Sequence, residues 1–191
     1  MFFKLILLLI ITTVHSFCEN KPYYWRVYEE FTPHDALSTE DDKSEIFVGR
    51  IPVCDNQMSV TYYPATFNST NKIAVTFVHE MKRVFYNNIM ILCTSEPKRL
   101  RWKYINSVAL HDRDILNKLV PVGKETTGIT YIGKVFHENE WKISTVYAHN
   151  RPGLYIWSNV DGKLVIAPDF QVLMFEWSPC DDNNTIASLQ V

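Results

Sequence analysis

Phe47-Val48-Gly49-Arg50 and Tyr131-Ile132-Gly133-Lys134 are one phrase written twice: aromatic, β-branched, glycine, cation. The agreement spreads outward from it. Trp25 is followed nine residues later by His34-Asp35, and Trp102 nine residues later by His111-Asp112. Twelve residues after each Gly stands a Thr (Thr61, Thr145), and two further on a Tyr (Tyr63, Tyr147). Self-similarity at a fixed period marks a repeat architecture, here with a period of roughly 80 residues. The unit of structure is then a module, and any binding site is expected twice.

The ends read as processing and tail. Lys4 precedes an apolar run to Val14, and Val14-His15-Ser16 places compact residues at a cleavage spacing, so residues 1–16 read as a secretory signal peptide. That run is shorter than the ~20 apolar residues a membrane helix needs, and no second one follows. The expected organisation is 1–16 signal peptide, 17–94 first repeat, 95–180 second repeat and 181–191 flexible tail, in a secreted, extracellular chain. A formal charge of −2 gives no global electrostatic case for nucleic acid or an anionic membrane.

Four cysteines in an exported chain suggest two disulfides. Spacing alone leaves three connectivities open. The pairing we expect is Cys18 with Cys180, tying the mature termini, and Cys54 with Cys93 inside the first repeat. Asn68-Ser69-Thr70 and Asn183-Asn184-Thr185 are acceptor tripeptides for N-glycosylation at Asn68 and Asn183.

Strand patterns dominate. Residues 72–78 alternate Ile73, Val75 and Phe77 against smaller or polar partners, the period of a half-buried strand. Residues 44–52, 58–63, 83–93, 100–105, 130–137, 142–149, 154–157, 163–166 and 171–177 repeat the theme. Asp161-Gly162 between apolar runs signals a hairpin turn. Residues 111–119 read either as one short helix or as a loop of the second repeat. Residues 95–101 are polar, hold a Pro and read as the link between repeats.

Motifs for catalysis are missing. There is no Gly-x-Ser-x-Gly elbow, no His-Glu-x-x-His and no glycine-rich phosphate loop. His79-Glu80 and His137-Glu138 lack the second His that zinc requires. A His held by an Asp can act as a base, but a dyad seldom recurs in two copies, and the repeated His-Asp reads as turn chemistry. No enzyme, cofactor or metal is expected. A strand Trp in a small β protein ordinarily packs in the core. Exposed beside a carboxylate, it is a sugar platform, and Trp141, in the turn of the second repeat, is the candidate.

The order of these pieces resembles the DM-nine repeat, whose motif also occurs in natterin-like toxins and mannose-binding lectins. The match is best in the second repeat: Gly123-Lys124-Glu125-Thr126-Thr127-Gly128 for the acidic loop, residues 131–137 for the strand and turn, and Leu154-Tyr155-Ile156-Trp157 and Phe170-Gln171-Val172-Leu173 for the last strands. In the first, Ile46-Phe47-Val48-Gly49-Arg50 is close. The resemblance implies an all-β fold of two interlocked tandem repeats related by a pseudo-two-fold axis. It implies sugar contacts from an acidic loop residue, aligned with Glu40 and Glu125, and from a strand Lys, whose place is taken here by Thr61 and Thr145.

The expected function is a non-enzymatic secreted protein recognising carbohydrate of mannose type in extracellular defence, or innate immunity. Its partners would be glycans or microbial surface ligands, or a second copy in a homodimer, with no nucleic acid and no membrane span. The ligand-binding candidates are Glu40, Thr61, Glu125, Thr145 and Trp141. The alternative is a lipocalin-like carrier of a small hydrophobic ligand.

Overall fold

The computed structural model describes residues 21–39, 45–54 and 58–176. The expected signal peptide and tail, together with Cys18, Glu40, Cys180 and Asn183, lie outside the described residues.

β-branched and aromatic residues build two antiparallel sheets. The first contains β1 (Tyr24–Val27), β2 (Ile46–Cys54), β3 (Val60–Asn68), β4 (Ile73–Val78), β5 (Met81–Phe85) and β6 (Met90–Cys93), in the spatial order β1-β6-β2-β3-β4-β5. The second contains β7 (Leu100–Asn106), β8 (Pro121–Glu125), β9 (Gly128–His137), β10 (Glu140–Tyr147), β11 (Gly153–Trp157), β12 (Leu164–Ala167) and β13 (Asp169–Phe175). Its order is β12-β11-β10-β9-β13-β7, with β8 paired to β9. Read from the opposite end this is β7-β13-β9-β10-β11-β12, the strand order of the first sheet. The described residues are all-β apart from short 3-10 turns and α1 (Arg113–Leu116), whose first turn is capped by the Asp112 carboxylate accepting from the Asp114 N–H. Among the described residues no helix is long and apolar enough to cross a membrane.

Register matches as well as order. Trp25 lies opposite Leu92, and Trp102 opposite Leu173. Gly49 pairs with Ile91, and Gly133 with Val172. Neither Gly adopts a left-handed backbone, so each is small for reasons of space. A Cβ on Gly133 would lie 2.4 Å from Val146 and 2.9 Å from Leu154, and one on Gly49 3.2 Å from Phe67. Matched positions also share one core: Val48 with Ile132, and Leu92 with Leu173, pack in a single cluster with Leu100, Val120, Ile143 and Phe175.

Two sequence expectations fail on register. Gly49 faces Ala65, sixteen residues on, whereas Gly133 faces Ser144, eleven on. The β2–β3 hairpin therefore has the longer connection, and Thr145 corresponds to Thr66, not Thr61. The His-Asp pairs diverge too: Asp112 caps α1, while Asp35 accepts from the Tyr24 hydroxyl. The expected Cys54–Cys93 disulfide is absent; both thiols are free. Gly49 pairs with Ile91, and Cys54 lies five residues further along β2, about 17 Å at strand rise, in the direction away from Cys93, which pairs instead with Tyr24 and Ala36. Burial raises the Cys93 thiol to a pKa of about 12, so it is protonated and unreactive. Residues 83–93, which the sequence offers as one long strand or a bent pair, fall in two strands, β5 and β6, and β1 and β8 are strands where none was expected.

The sheets meet across β3 and β10. The β10–β11 ladder opens before Thr145–Tyr155, which frees the N–H and C=O of Ile143. Thr66 from the opposite sheet fills that gap: its hydroxyl accepts from the Ile143 N–H at 2.7 Å and donates to the Ile143 carbonyl at 3.1 Å. The matched gap in the first sheet lies at Pro64. Proline has no N–H to satisfy, and its carbonyl already accepts from the Thr76 hydroxyl at 2.5 Å. Thr145, the counterpart of Thr66, is buried with its hydroxyl unpartnered among the described residues.

This asymmetry sets an expectation. Thr66→Val leaves a buried N–H and C=O unsatisfied and should cost about 1–3 kcal/mol. Thr145→Val removes a hydroxyl with nothing to bond and should be neutral or stabilising. Urea unfolding of the two variants beside the parent chain checks both; equal losses would contradict the assignment.

Candidate functional site: two clefts between the sheets

The first cleft, of about 370 Å³, is lined by residues of both sheets: Ile46, Asn68, Asn71, Ile73, Val75 and Lys82 from one, and Phe136, Asn139, Glu140, Trp141 and Trp157 from the other. The tight β9–β10 hairpin builds its polar side. Glu138 and Asn139 turn the chain with φ of 53° and 61°, left-handed values that disfavour side chains other than Gly. Anchoring of the Glu138 carboxylate holds the strained turn. That carboxylate accepts from Lys142 Nζ at 2.6 Å, the Asn159 N–H at 2.6 Å and the Ser158 hydroxyl at 3.1 Å.

Lys142 is fully buried. Its ammonium donates to Glu138 and, at 2.7 Å, to the Trp157 carbonyl, and lies 3.5 Å from Glu140 Oε1. The Trp157 carbonyl is available because the β10–β11 ladder has opened. The lysine thus occupies the same gap that Thr66 enters. Burial of an ammonium is tolerated only with such partners. Asn159 extends the network: its Nδ2 donates to Glu140 at 2.9 Å, and its Oδ1 accepts from Trp157 Nε1 at 3.1 Å and from Lys82 Nζ at 3.4 Å. The Trp157 ring has Lys142 at 5.3 Å and Lys82 at 5.5 Å from its centroid.

Beside the cleft stands a second kind of unit, present in both sheets. Arg50 lies between Trp25 (4.4 Å) and Tyr62 (4.2 Å); Lys134 lies between Trp102 (4.6 Å) and Trp141 (4.5 Å). The cation that follows each motif glycine is therefore stacked between an aromatic of the first strand of its sheet and one of the central strand. Lys134 also donates to the Thr39 carbonyl. These stacks fix Trp141, which meets Phe136 edge to face at 5.4 Å. Phe136 is 57% exposed on the cleft.

The second cleft, of about 330 Å³, is lined by Val53, Ser59, Thr61, Tyr63 and His79 of the first sheet and by Lys124, Glu125, Thr126 and Thr127 of the second. Here the Glu125 carboxylate accepts from the Tyr147 hydroxyl at 2.8 Å. Burial, reinforced by this carboxylate, raises the Tyr147 pKa well above the ordinary phenol value.

Of the residues the sequence nominated, Thr61 and Glu125 come together in the second cleft, from opposite sheets. Trp141 lines the first cleft. Thr145 is buried between the sheets and lines neither; a hydroxyl enclosed by β3 and β10 has no surface to offer a ligand. Glu40 lies outside the described residues. Sequence reasoning missed Glu138, Glu140, Lys142 and Asn159; Trp157, a strand Trp expected to pack in the core, is buried. His137-Glu138 was weighed only as a zinc motif. Among the described residues no group of three or more His, Cys, Asp or Glu side chains could hold a metal ion.

The hydrogen bond from Lys142, then that from the Asn159 N–H, lowers the Glu138 carboxyl from its ordinary 4.5 to about 2. A carboxyl with a depressed folded-state pKa contributes stability that is complete above the unfolded value and is lost as pH falls through the folded one. Urea midpoints measured from pH 5 down to pH 2 should therefore fall more steeply for the parent chain than for Glu138→Gln. Parallel profiles would remove Glu138 from its place in the network.

No protein-family model and no curated protein matches the chain. Among solved structures it is similar in fold to the nematode sperm cell motility protein MFP2B, with a TM-score of 0.50 and 7% identity over 82% of this chain. The match covers 45% of that protein, so this chain spans less than half the length of its structural neighbour.

Proposed function

We propose that this chain is a non-enzymatic binding module that recognises carbohydrate in the clefts between its sheets. In this reading the two sheets are copies of one ancestral module. The observation that carries it is the composition of the first cleft: a half-buried indole, Trp141, and an exposed Phe136 ring stand beside the Glu140 carboxylate and the Asn68, Asn71 and Asn139 amides. Sugars present apolar C–H faces and hydroxyls that both donate and accept. Aromatic faces match the first, and carboxylates and amides the second. Glu140 is oriented by Asn159, and Trp141 by Lys134, so both are held before a ligand arrives. The second cleft offers Ser59, Thr61, Thr126 and Thr127 hydroxyls about Glu125. The resemblance to DM-nine repeats, whose better-known relatives bind mannose-type sugars, supports the same reading, as does a leader that would deliver the chain outside the cell.

A glycan array followed by calorimetry, on chain produced without N-glycans, tests this. We expect binding to at least one glycan class. Glu140→Ala and Trp141→Ala should each weaken it by about tenfold or more, the ~1.4 kcal/mol of one charged or stacking contact, with folding verified by thermal unfolding. Glu125→Ala reports on the second cleft. Binding of no glycan, or affinities indifferent to all three substitutions, would overturn the proposal. A hydrophobic molecule copurifying with the chain would instead favour the carrier.

A further inference from the structure

We propose that the first cleft is filled by the protein's own glycan: an N-linked chain on Asn68 lays its first sugar against Trp141 and Phe136, so the glycosylated protein is self-liganded there. This rests on the reading of that cleft as a sugar site.

Asn68 ends β3 and lines the first cleft. Its side-chain oxygen accepts from the Thr70 N–H at 2.9 Å and the Asn71 N–H at 3.2 Å, an Asx turn that commits Oδ1 to the backbone. Nδ2, the atom that would carry a sugar, has no partner among the described residues. The turn itself is pinned: the Ser69 N–H donates to the Glu45 carbonyl at 2.9 Å, the Ser69 hydroxyl to the same carbonyl at 3.2 Å, and the Thr70 hydroxyl to the Glu45 carboxylate at 2.5 Å. The stem of an attached glycan is thus anchored by its root at the cleft, and little ordering entropy is left to lose when its first ring settles there. Phe136, more than half exposed, is the apolar surface that such a ring would cover.

The chemistry is transfer from a lipid-linked oligosaccharide donor during export. A bond forms between Asn68 Nδ2 and C1 of the first sugar, the bond from C1 to the lipid diphosphate oxygen breaks, the amide loses one proton and the lipid diphosphate leaves. Thr70, the hydroxyl of the acceptor tripeptide, is sequestered by Glu45 in the folded chain. Transfer therefore precedes folding of the β3–β4 turn.

The full chain secreted from eukaryotic cells provides the test. Intact mass before and after Asn68→Gln reads occupancy, and peptide-N-glycosidase reads protection. We expect Asn68 to be occupied, and its glycan to be released about tenfold or more slowly from folded than from denatured chain, because cleavage of a docked segment waits on local opening. Phe136→Ala and Trp141→Ala should abolish the difference while the chain stays folded by circular dichroism. An unoccupied Asn68, or release at equal rates from folded and denatured chain, overturns the proposal. Failure of unglycosylated protein to bind any glycan would sink the carbohydrate function while leaving a protected Asn68 glycan standing, so the two ideas fail separately.

Discussion

The Thr66 hydroxyl, set into the gap where β10 parts from β11, is the contact on which the arrangement of the two sheets depends. Two sheets packed through apolar faces alone can slide and rotate, because burial of area is not directional. A hydroxyl that both accepts from and donates to one residue of the opposing strand fixes position along β10. Its counterpart is missing. Pro64 removes the N–H that Thr145 would have met, and Thr76 takes the remaining carbonyl. Among the described residues, sheets of one strand order thus share this lock on one side and not at its matched place on the other.

The candidate site follows from the same gap. Where β11 peels away, the Trp157 carbonyl is left facing the interior, and Lys142 reaches it. The buried ammonium in turn requires Glu138, and the fixed Glu138 holds a hairpin turn built without glycine. Glu140, Trp157 and Asn159 are positioned by that chain of requirements. In the matched place of the first sheet Tyr63 stands where Lys142 stands in the second. The two clefts therefore occupy similar places between the sheets and carry different chemistry.

Much of this was legible in the sequence wherever a constraint leaves a residue type behind. Gly49 and Gly133 mark close approach, and Trp25 and Trp102 recur at matched places opposite Leu92 and Leu173, although the strand that carries Trp25 was not expected. Arg50 and Lys134 are visible as the fourth member of the repeated phrase, but their stacks are not, because one aromatic partner of each, Trp25 or Trp102, stands 25 or 32 residues earlier in the chain. The spacing of Thr61 and Thr145 misled because hairpin length, which sequence distance does not reveal, differs by five residues between the two sheets. Cysteine count misled because pairing depends on register, and Cys54 and Cys93 sit far apart on neighbouring strands. β8 went unseen because Pro121-Val122-Gly123 carries no strand alternation.

Amide hydrogen exchange at Ile143 is the most direct measurement of the lock between the sheets. Ile143 lies beyond the last β10–β11 ladder pair, so its N–H would exchange readily if the ladder were its only protection. Our account expects it among the most slowly exchanging amides, limited by global unfolding, because its acceptor is a buried hydroxyl of the other sheet. Exchange at the rate of a frayed strand end would contradict the account.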